Sequence, residues 1–201
     1  MLHNTVLSKE NLDTIFESFA DKCLKLGSKE KINVYVVGGG AILLNFDYRL
    51  STMDIDALFS DTEIIRQAIQ CVALEFNMSE DWLNKDFVNT PSFSNKIKDV
   101  SVLYRTYLNI VNVFYVPPIY LIAMKLKSSR PTGGDLDDII KMIYELRLKE
   151  ESVSYEMIID AYNYLYSDFS NTYSYFIDRM KDALDTPIEE VREIMIKRYI
   201  D

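Results

Sequence analysis

Asp54 and Asp56 stand two residues apart in the run Met53-Asp54-Ile55-Asp56-Ala57-Leu58-Phe59. On a β-strand that spacing puts both carboxylates on one face. Two such groups repel each other and lose hydration, so they call for a cation or water between them. A divalent metal meets that need, and magnesium suits a site built of oxygen ligands. A solvated strand end would explain the same pair, because the apolar residues of the run fall on the opposite face. Upstream, Val34–Val37 leads into Gly38-Gly39-Gly40-Ala41. Glycines permit positive φ and a close approach of backbone to a ligand. The N–H groups of the helix that follows would face an anion such as phosphate. A plain strand-to-helix turn would use the same glycines. A phosphate cradle and paired acids on adjacent strands together suggest chemistry on a nucleoside triphosphate.

The elements that must hold these residues follow from the periodicity. Ser8–Leu26 carries Leu12, Ile15, Phe16, Phe19, Ala20, Cys23 and Leu24 on one helical face, with Ser8 as N-cap and Gly27 as stop. Ile32–Val37 is a β-branched core strand, followed by a short helix over Ala41–Phe46. Asp61-Thr62-Glu63 opens a helix to about Phe76. Ser79–Asn95 reads as a helix start and then a long loop, a feature often functional in a compact domain. Lys98–Tyr107 and Ile110–Tyr115 alternate as two strands around a turn at Leu108-Asn109. Pro117-Pro118 opens the helix Ile119–Lys127, in which Lys125 interrupts an apolar turn. Ser128–Gly134 is a breaker loop, and Asp135 is expected to cap the next helix. From Glu151 on, the pattern is helical throughout.

Composition narrows the function classes. A net charge of −9 and a pI near 4.7 argue against a general nucleic-acid coat protein, which would rest on many Lys/Arg–phosphate contacts. A local basic patch could still meet RNA. Cys23 and Cys71 both lie in apolar helical runs and read as buried, reduced thiols. No run is long and apolar enough to span a membrane, and no basic-then-apolar leader opens the chain, so the cytoplasm is the default location. The one histidine, His3, lies near the terminus. Ser-His-Asp and Cys-His catalysis are thereby excluded, together with the usual histidine zinc sites. Carboxylates, lysines and metals remain. The C-terminal tyrosines, from Tyr155 to Tyr199, could stack on bases, but their helical spacing favours packing.

Gly-Gly-Gly-Ala at 38–41, followed by Arg49-x-x-Thr52-x-Asp54-Ile55-Asp56, resembles the nucleotidyltransferase superfamily related to DNA polymerase beta, in particular bacterial members of the toxin and abortive-infection kind. Further matches are Glu80-Asp81-Trp82-Leu83-Asn84, Ala123-Met124-Lys125-Leu126, Arg130 and Asp135-Leu136-Asp137-Asp138-Ile139. Together they span about three quarters of the chain, and their order carries more than any one motif. The resemblance implies an α/β (α+β) fold: a mixed sheet flanked by helices over residues 1–127, and a C-terminal helical portion over 128–201. It also implies transfer of a nucleoside monophosphate from an NTP to a hydroxyl on RNA, protein or a small molecule. Asp54 and Asp56 would hold Mg²⁺, with a second ion activating the attacking hydroxyl. Lys125 would act beside them. Gly38, Gly39, Gly40, Arg49, Thr52 and Arg130 would bind nucleotide and phosphate, with Asp135 and Asp138 as structural support. A cognate antitoxin would be the partner if the chain is a toxin.

In two respects the chain departs from the superfamily pattern. Glycine stands where Gly-Ser is more usual, and the strand that normally carries a third carboxylate offers only Asn112, with Asp99 just before the first strand. A catalytically silent, nucleotide-binding or partner-binding member is therefore the rival expectation. A transferase of the antibiotic-modifying sort is a third, and the acidic balance suits a cationic acceptor.

Overall fold

The computed structural model describes residues 5–130, 132–167, 169 and 173–200, with side chains to residue 197. His3 and the Tyr199 side chain lie outside the described residues. The chain is mixed α/β and divides into two compact units. One is made of Met1–Val88 and Ile97–Pro117, the other of Asn89–Lys96 and Pro118–Asp201.

The first unit holds α1 (Lys9–Lys25), β1 (Ile32–Val36), α2 (Gly38–Asn45), β2 (Ile55–Leu58), α3 (Glu63–Phe76), β3 (Leu83–Asn84), α4 (Ile97–Val100), β4 (Val102–Tyr107) and β5 (Val111–Tyr115). Their sheet runs β3-β2-β1-β5-β4. β1 lies parallel to β5 and antiparallel to β2, while β2 and β3 are parallel and β4 and β5 antiparallel. Ile32, Val34 and Val36 of β1 are buried together with Val111 and Val113 of β5. Phe16 of α1 stacks on Tyr107 at 5.7 Å and meets Trp82 edge-on at 5.9 Å. Trp82 is fully buried and its indole N–H donates to the Ile69 carbonyl at 3.0 Å, so its polar handle is satisfied inside the core. The β4–β5 turn places Leu108 and Asn109 at φ 45° and 56°, the paired positive values a two-residue hairpin needs.

Several expectations are corrected here. The glycines do not precede α2 as a separate turn, because they form its first turn. Strand β4 begins at Val102, and Ile97–Val100 is instead a helical turn in which buried Ile97 serves as an anchor and its carbonyl accepts from Ser101 Oγ at 2.7 Å. Residues 79 onward do not start a helix. Trp82 pins this segment to the sheet, its carbonyl accepting from Ile55 N at 2.7 Å, and Leu83–Asn84 adds a strand before a 3-10 turn at Asp86–Asn89. Cys23 is buried, as expected, and burial pushes its thiol up to about 12. Cys71 is exposed, because it falls on the outer face of α3 rather than on the Ile65–Ile69–Val72 side, and Leu24, expected on the apolar face of α1, is 43% exposed at its edge.

The second unit holds α5 (Pro118–Ser128), α6 (Asp135–Leu148), α7 (Tyr155–Tyr166), α8 (Ser174–Asp185) and α9 (Ile188–Ile200). Helix α5 packs on α6 and α7, and α6 on α8 and α9. The strap 89–96 closes the end of α7. Ser94 Oγ donates to the Leu165 carbonyl at 3.0 Å, and Lys96 Nζ to that of Tyr164 at 2.6 Å. These are last-turn carbonyls with no helical partner, where a cation also suits the helix dipole. Tyr162 is buried and Tyr166 donates to the Ser92 carbonyl at 2.6 Å, so these tyrosines pack, whereas Tyr164, Tyr173 and Tyr175 stay exposed.

Candidate active site

In the first unit the glycine turn, Arg49, Thr52 and Asp56 converge. Val37, in extended conformation, is the N-cap of α2, and its N–H donates to the Asp56 carbonyl at 2.9 Å, tying the helix start to β2. Each glycine then meets a different neighbour. Gly38 has φ +57°, and a Cβ there would sit 3.2 Å from Asp56 Oδ2. A Cβ on Gly39 would lie 2.7 Å from Arg49 Nη2, 3.0 Å from Arg49 Cζ and 3.2 Å from Thr52 Oγ1. On Gly40 it would meet Val36 at 3.0 Å and Ile55 at 3.4 Å. The first two glycines therefore bring backbone against polar side chains, while buried Gly40 makes room for the core.

Thr52 is buried and its hydroxyl donates to the Asp54 carbonyl at 3.1 Å. Its backbone also pairs with that of Leu7 through two 2.9 Å hydrogen bonds. These bonds fix the loop that delivers the carboxylates, the local role its hydroxyl allowed. Asp54 is exposed one residue before β2, and Asp56 is half-buried within it. Across from Asp56 on β3 stands Asn84. Among the described residues no group of three or more His, Cys, Asp or Glu could hold a metal. Asp56 stands at the glycine turn and Asp54 lies one residue before β2, so a metal held by this pair would have two carboxylates. That fits Mg²⁺, which commonly keeps several waters and binds through one or two carboxylates plus substrate phosphates. It does not form an all-protein cage.

The second unit carries a separate ionic cluster. Lys125 of α5 is largely buried, its Nζ 2.9 Å from Asp135 Oδ1 and 2.8 Å from Asp138 Oδ2. Asp135 is fully buried and also accepts from Arg130, through the backbone N–H at 3.1 Å, Nε at 3.0 Å and Nη2 at 3.0 Å. Burial by itself would raise the Asp135 carboxyl. The hydrogen bonds and charges of Arg130 and Lys125 outweigh it and hold the group at about 2. Gly134, at φ +75°, is the N-cap of α6, so Asp135 does not cap the helix as expected. Its carboxylate turns to two cations, a stronger set of donors than the helix N–H groups. The Arg130 side chain stays 61% exposed. Gly133 lets it fold back, since a Cβ there would lie 3.0 Å from Arg130 Nε.

The sequence-chosen residues thus form two groups, Gly38, Gly39, Arg49, Thr52 and Asp56 in one unit and Lys125, Arg130, Asp135 and Asp138 in the other. Three contributors escaped the sequence reading. Leu7 gives no signal, because its pairing with Thr52 is purely long-range. Asn84 lay inside a matching motif but without a visible strand. Gly133 stood in the breaker loop, where its proximity to Arg130 was the one available clue.

Residues 10–183 match the family described as "Nucleotidyltransferase of unknown function (DUF6036)". The chain belongs to that family. The match runs through α1 to α8 and so includes both groups of residues. No curated relative and no solved structure matches the chain. Family membership makes nucleotidyl chemistry the frame for the site, and no helix among the described residues is long and apolar enough to cross a membrane.

Proposed function

We propose that this nucleotidyltransferase uses Mg²⁺ to move a nucleoside monophosphate from an NTP to a hydroxyl acceptor. The observation that carries the reading is the packing of Gly38 on Asp56 and of Gly39 on Arg49 and Thr52. It places backbone N–H donors, a guanidinium and a carboxylate around one turn. Asp54 and Asp56 would hold the metal, which when bound neutralises triphosphate charge and orients the in-line displacement. Gly38 and Gly39 would present N–H groups to phosphate oxygens without side-chain obstruction. Arg49 would take a phosphate oxygen by charge-assisted hydrogen bonds, and Thr52 would keep the loop in register. Gly40 shapes the turn from beneath.

In the second unit, Lys125 and Arg130 remain the cations that the resemblance assigns to catalysis and phosphate binding, with Asp135 and Asp138 holding them in place. Arg130 is the more exposed of the two, so it is the better placed to meet an anion. The acceptor class (RNA, protein or a small molecule) is open within this reading. A toxin role with a cognate antitoxin, and a cytoplasmic setting, rest on the resemblance alone.

A silent, nucleotide-binding member is the second reading. It is favoured by Asn84, an amide that cannot act as a base, in register with Asp56. Titration of the protein with a non-hydrolysable NTP, with and without Mg²⁺, tests what the two readings share. Mg²⁺-dependent binding that disappears in Asp54→Asn/Asp56→Asn is expected. Binding indifferent to both metal and carboxylates would overturn it.

A further inference from the structure

Two strongly exposed apolar side chains of the first unit stand on the loop between α2 and β2. Leu50 is 78% and Met53 61% exposed. Both lie within residues 49–54, a run with the candidate phosphate ligand Arg49 at one end and the candidate metal ligand Asp54 at the other. The antiparallel bridge between Leu7 and Thr52 sets Val6, 40% exposed, beside Met53. Leu7 and Thr52 themselves are buried, so these chain neighbours turn outward. The loop is also fixed. Leu7 and Thr52 exchange two 2.9 Å backbone hydrogen bonds, and Thr52 Oγ1 donates to the Asp54 carbonyl at 3.1 Å. Single apolar residues on a surface are ordinary, whereas apolar residues gathered on a fixed loop between site groups mark a contact surface.

We infer that this loop receives the acceptor, and that the acceptor is a protein segment: a Ser, Thr or Tyr hydroxyl with apolar side chains on either side of it. The inference rests on the nucleotidyltransferase reading and narrows it. Charge decides the class. Residues 47–56 carry Asp47, Asp54 and Asp56 against Arg49, and Lys9, which reaches the loop from α1, is held by Asp47 at 2.5 Å. An RNA acceptor brings backbone phosphates beside its hydroxyl and needs lysines and arginines to meet them. On this loop they would meet carboxylates. A protein segment brings its hydroxyl without that charge, and its apolar neighbours cover Leu50, Met53 and Val6. The loop is already ordered, so docking costs little conformational entropy on this side. In the transfer, the acceptor oxygen bonds to the α-phosphorus of the NTP as the bond from that phosphorus to the β-phosphate oxygen breaks. Pyrophosphate leaves and the hydroxyl proton passes to water.

The full chain with Mg²⁺ and each α-labelled NTP, offered two sets of acceptors, tests it. One set is peptides with a central Ser, Thr or Tyr flanked by leucine and valine, by lysine or by aspartate. The other is short oligoribonucleotides with a free 3′-hydroxyl. The variants are Leu50→Ser/Met53→Ser and the control Leu74→Ser, whose parent side chain is 82% exposed on α3, outside this loop. Label is expected on the apolar-flanked peptides and not on the oligoribonucleotides. Leu50→Ser/Met53→Ser should bind a non-hydrolysable NTP like the parent and keep kcat, while its peptide KM rises about tenfold or more. Leu74→Ser should match the parent throughout. Label on the oligoribonucleotides, labelling indifferent to the flanking residues, or an unchanged KM in the double variant would overturn the inference and leave nucleotidyl transfer standing. NTP binding with no label on either set would overturn it too. Absence of Mg²⁺-dependent NTP binding would sink the nucleotidyltransferase reading, and this inference with it.

Discussion

Replacing Gly39 by alanine tests the glycine turn at its most crowded point. The added Cβ would stand 2.7 Å from Arg49 Nη2 and 3.0 Å from its Cζ, closer than non-bonded atoms tolerate. The obstacle is the end of a flexible side chain, and Gly39 is not among the residues with positive φ. Arg49 therefore swings away while the backbone stays. Alanine in a helical first turn gains about 0.5–1 kcal/mol over glycine, which offsets part of what the displaced guanidinium loses. Folding stability should then move by no more than about 1 kcal/mol. NTP binding should lose what one charge-assisted hydrogen bond contributes, about 1.5–3 kcal/mol, or roughly tenfold to a hundredfold in affinity. Because the defect acts through Arg49, Gly39→Ala, Arg49→Ala and the double variant should all bind alike, a coupling that a double-mutant cycle reads directly. Isothermal titration with Mg²⁺ and a non-hydrolysable NTP, paired with urea melts, supplies both numbers. Normal binding by Gly39→Ala beside lost binding by Arg49→Ala would refute the reasoning. So would fully additive losses.

Asp135→Asn removes the charge that holds Lys125 and Arg130, leaving a largely buried lysine with Asp138 alone, and should cost about 3 kcal/mol or more in a denaturant melt. The native Asp135 group lies at about 2 against an ordinary 3.8. Its depressed value contributes roughly 2 kcal/mol, fully present above about pH 5 and lost as the pH falls through 4 toward 2. The variant's acid-unfolding profile should be correspondingly flatter in that window. Trp82→Phe removes the indole hydrogen bond to the Ile69 carbonyl and shrinks a fully buried ring. A loss of about 1–3 kcal/mol in the urea midpoint is expected. A thiol reagent at neutral pH should modify Cys71 at once and Cys23 only on unfolding, giving one fast thiol per native chain.

Much of the first unit was legible locally. The Leu12–Cys23 stripe marked α1, Ile32–Val37 marked β1, Asp61-Thr62-Glu63 marked the start of α3, and the alternation around Leu108-Asn109 marked the hairpin, since each signal lies within a few residues of the element it names. The features that escaped are non-local. Leu83–Asn84 is a strand because Trp82 is buried against Ile69 and its carbonyl receives Ile55 N–H, not through any propensity of its own. Residues 89–96 leave the first unit for the second because their polar side chains close the end of α7, which no periodicity announces. In the candidate site the order of motifs pointed to the right neighbourhood. Spacing could not tell that Gly39 rests on Arg49 while Gly40 faces the core, nor that Asp135 turns from its helix to two cations.

Label transfer tests the central claim most directly. The protein, incubated with Mg²⁺, total bacterial RNA and protein, and each α-labelled NTP in turn, should attach label to an acceptor, and Asp54→Asn/Asp56→Asn should attach none. Equal transfer by both proteins would contradict the assignment of the carboxylates. Mg²⁺-dependent NTP binding without transfer to any acceptor, small hydroxyl compounds included, would contradict the enzyme and leave the silent pocket.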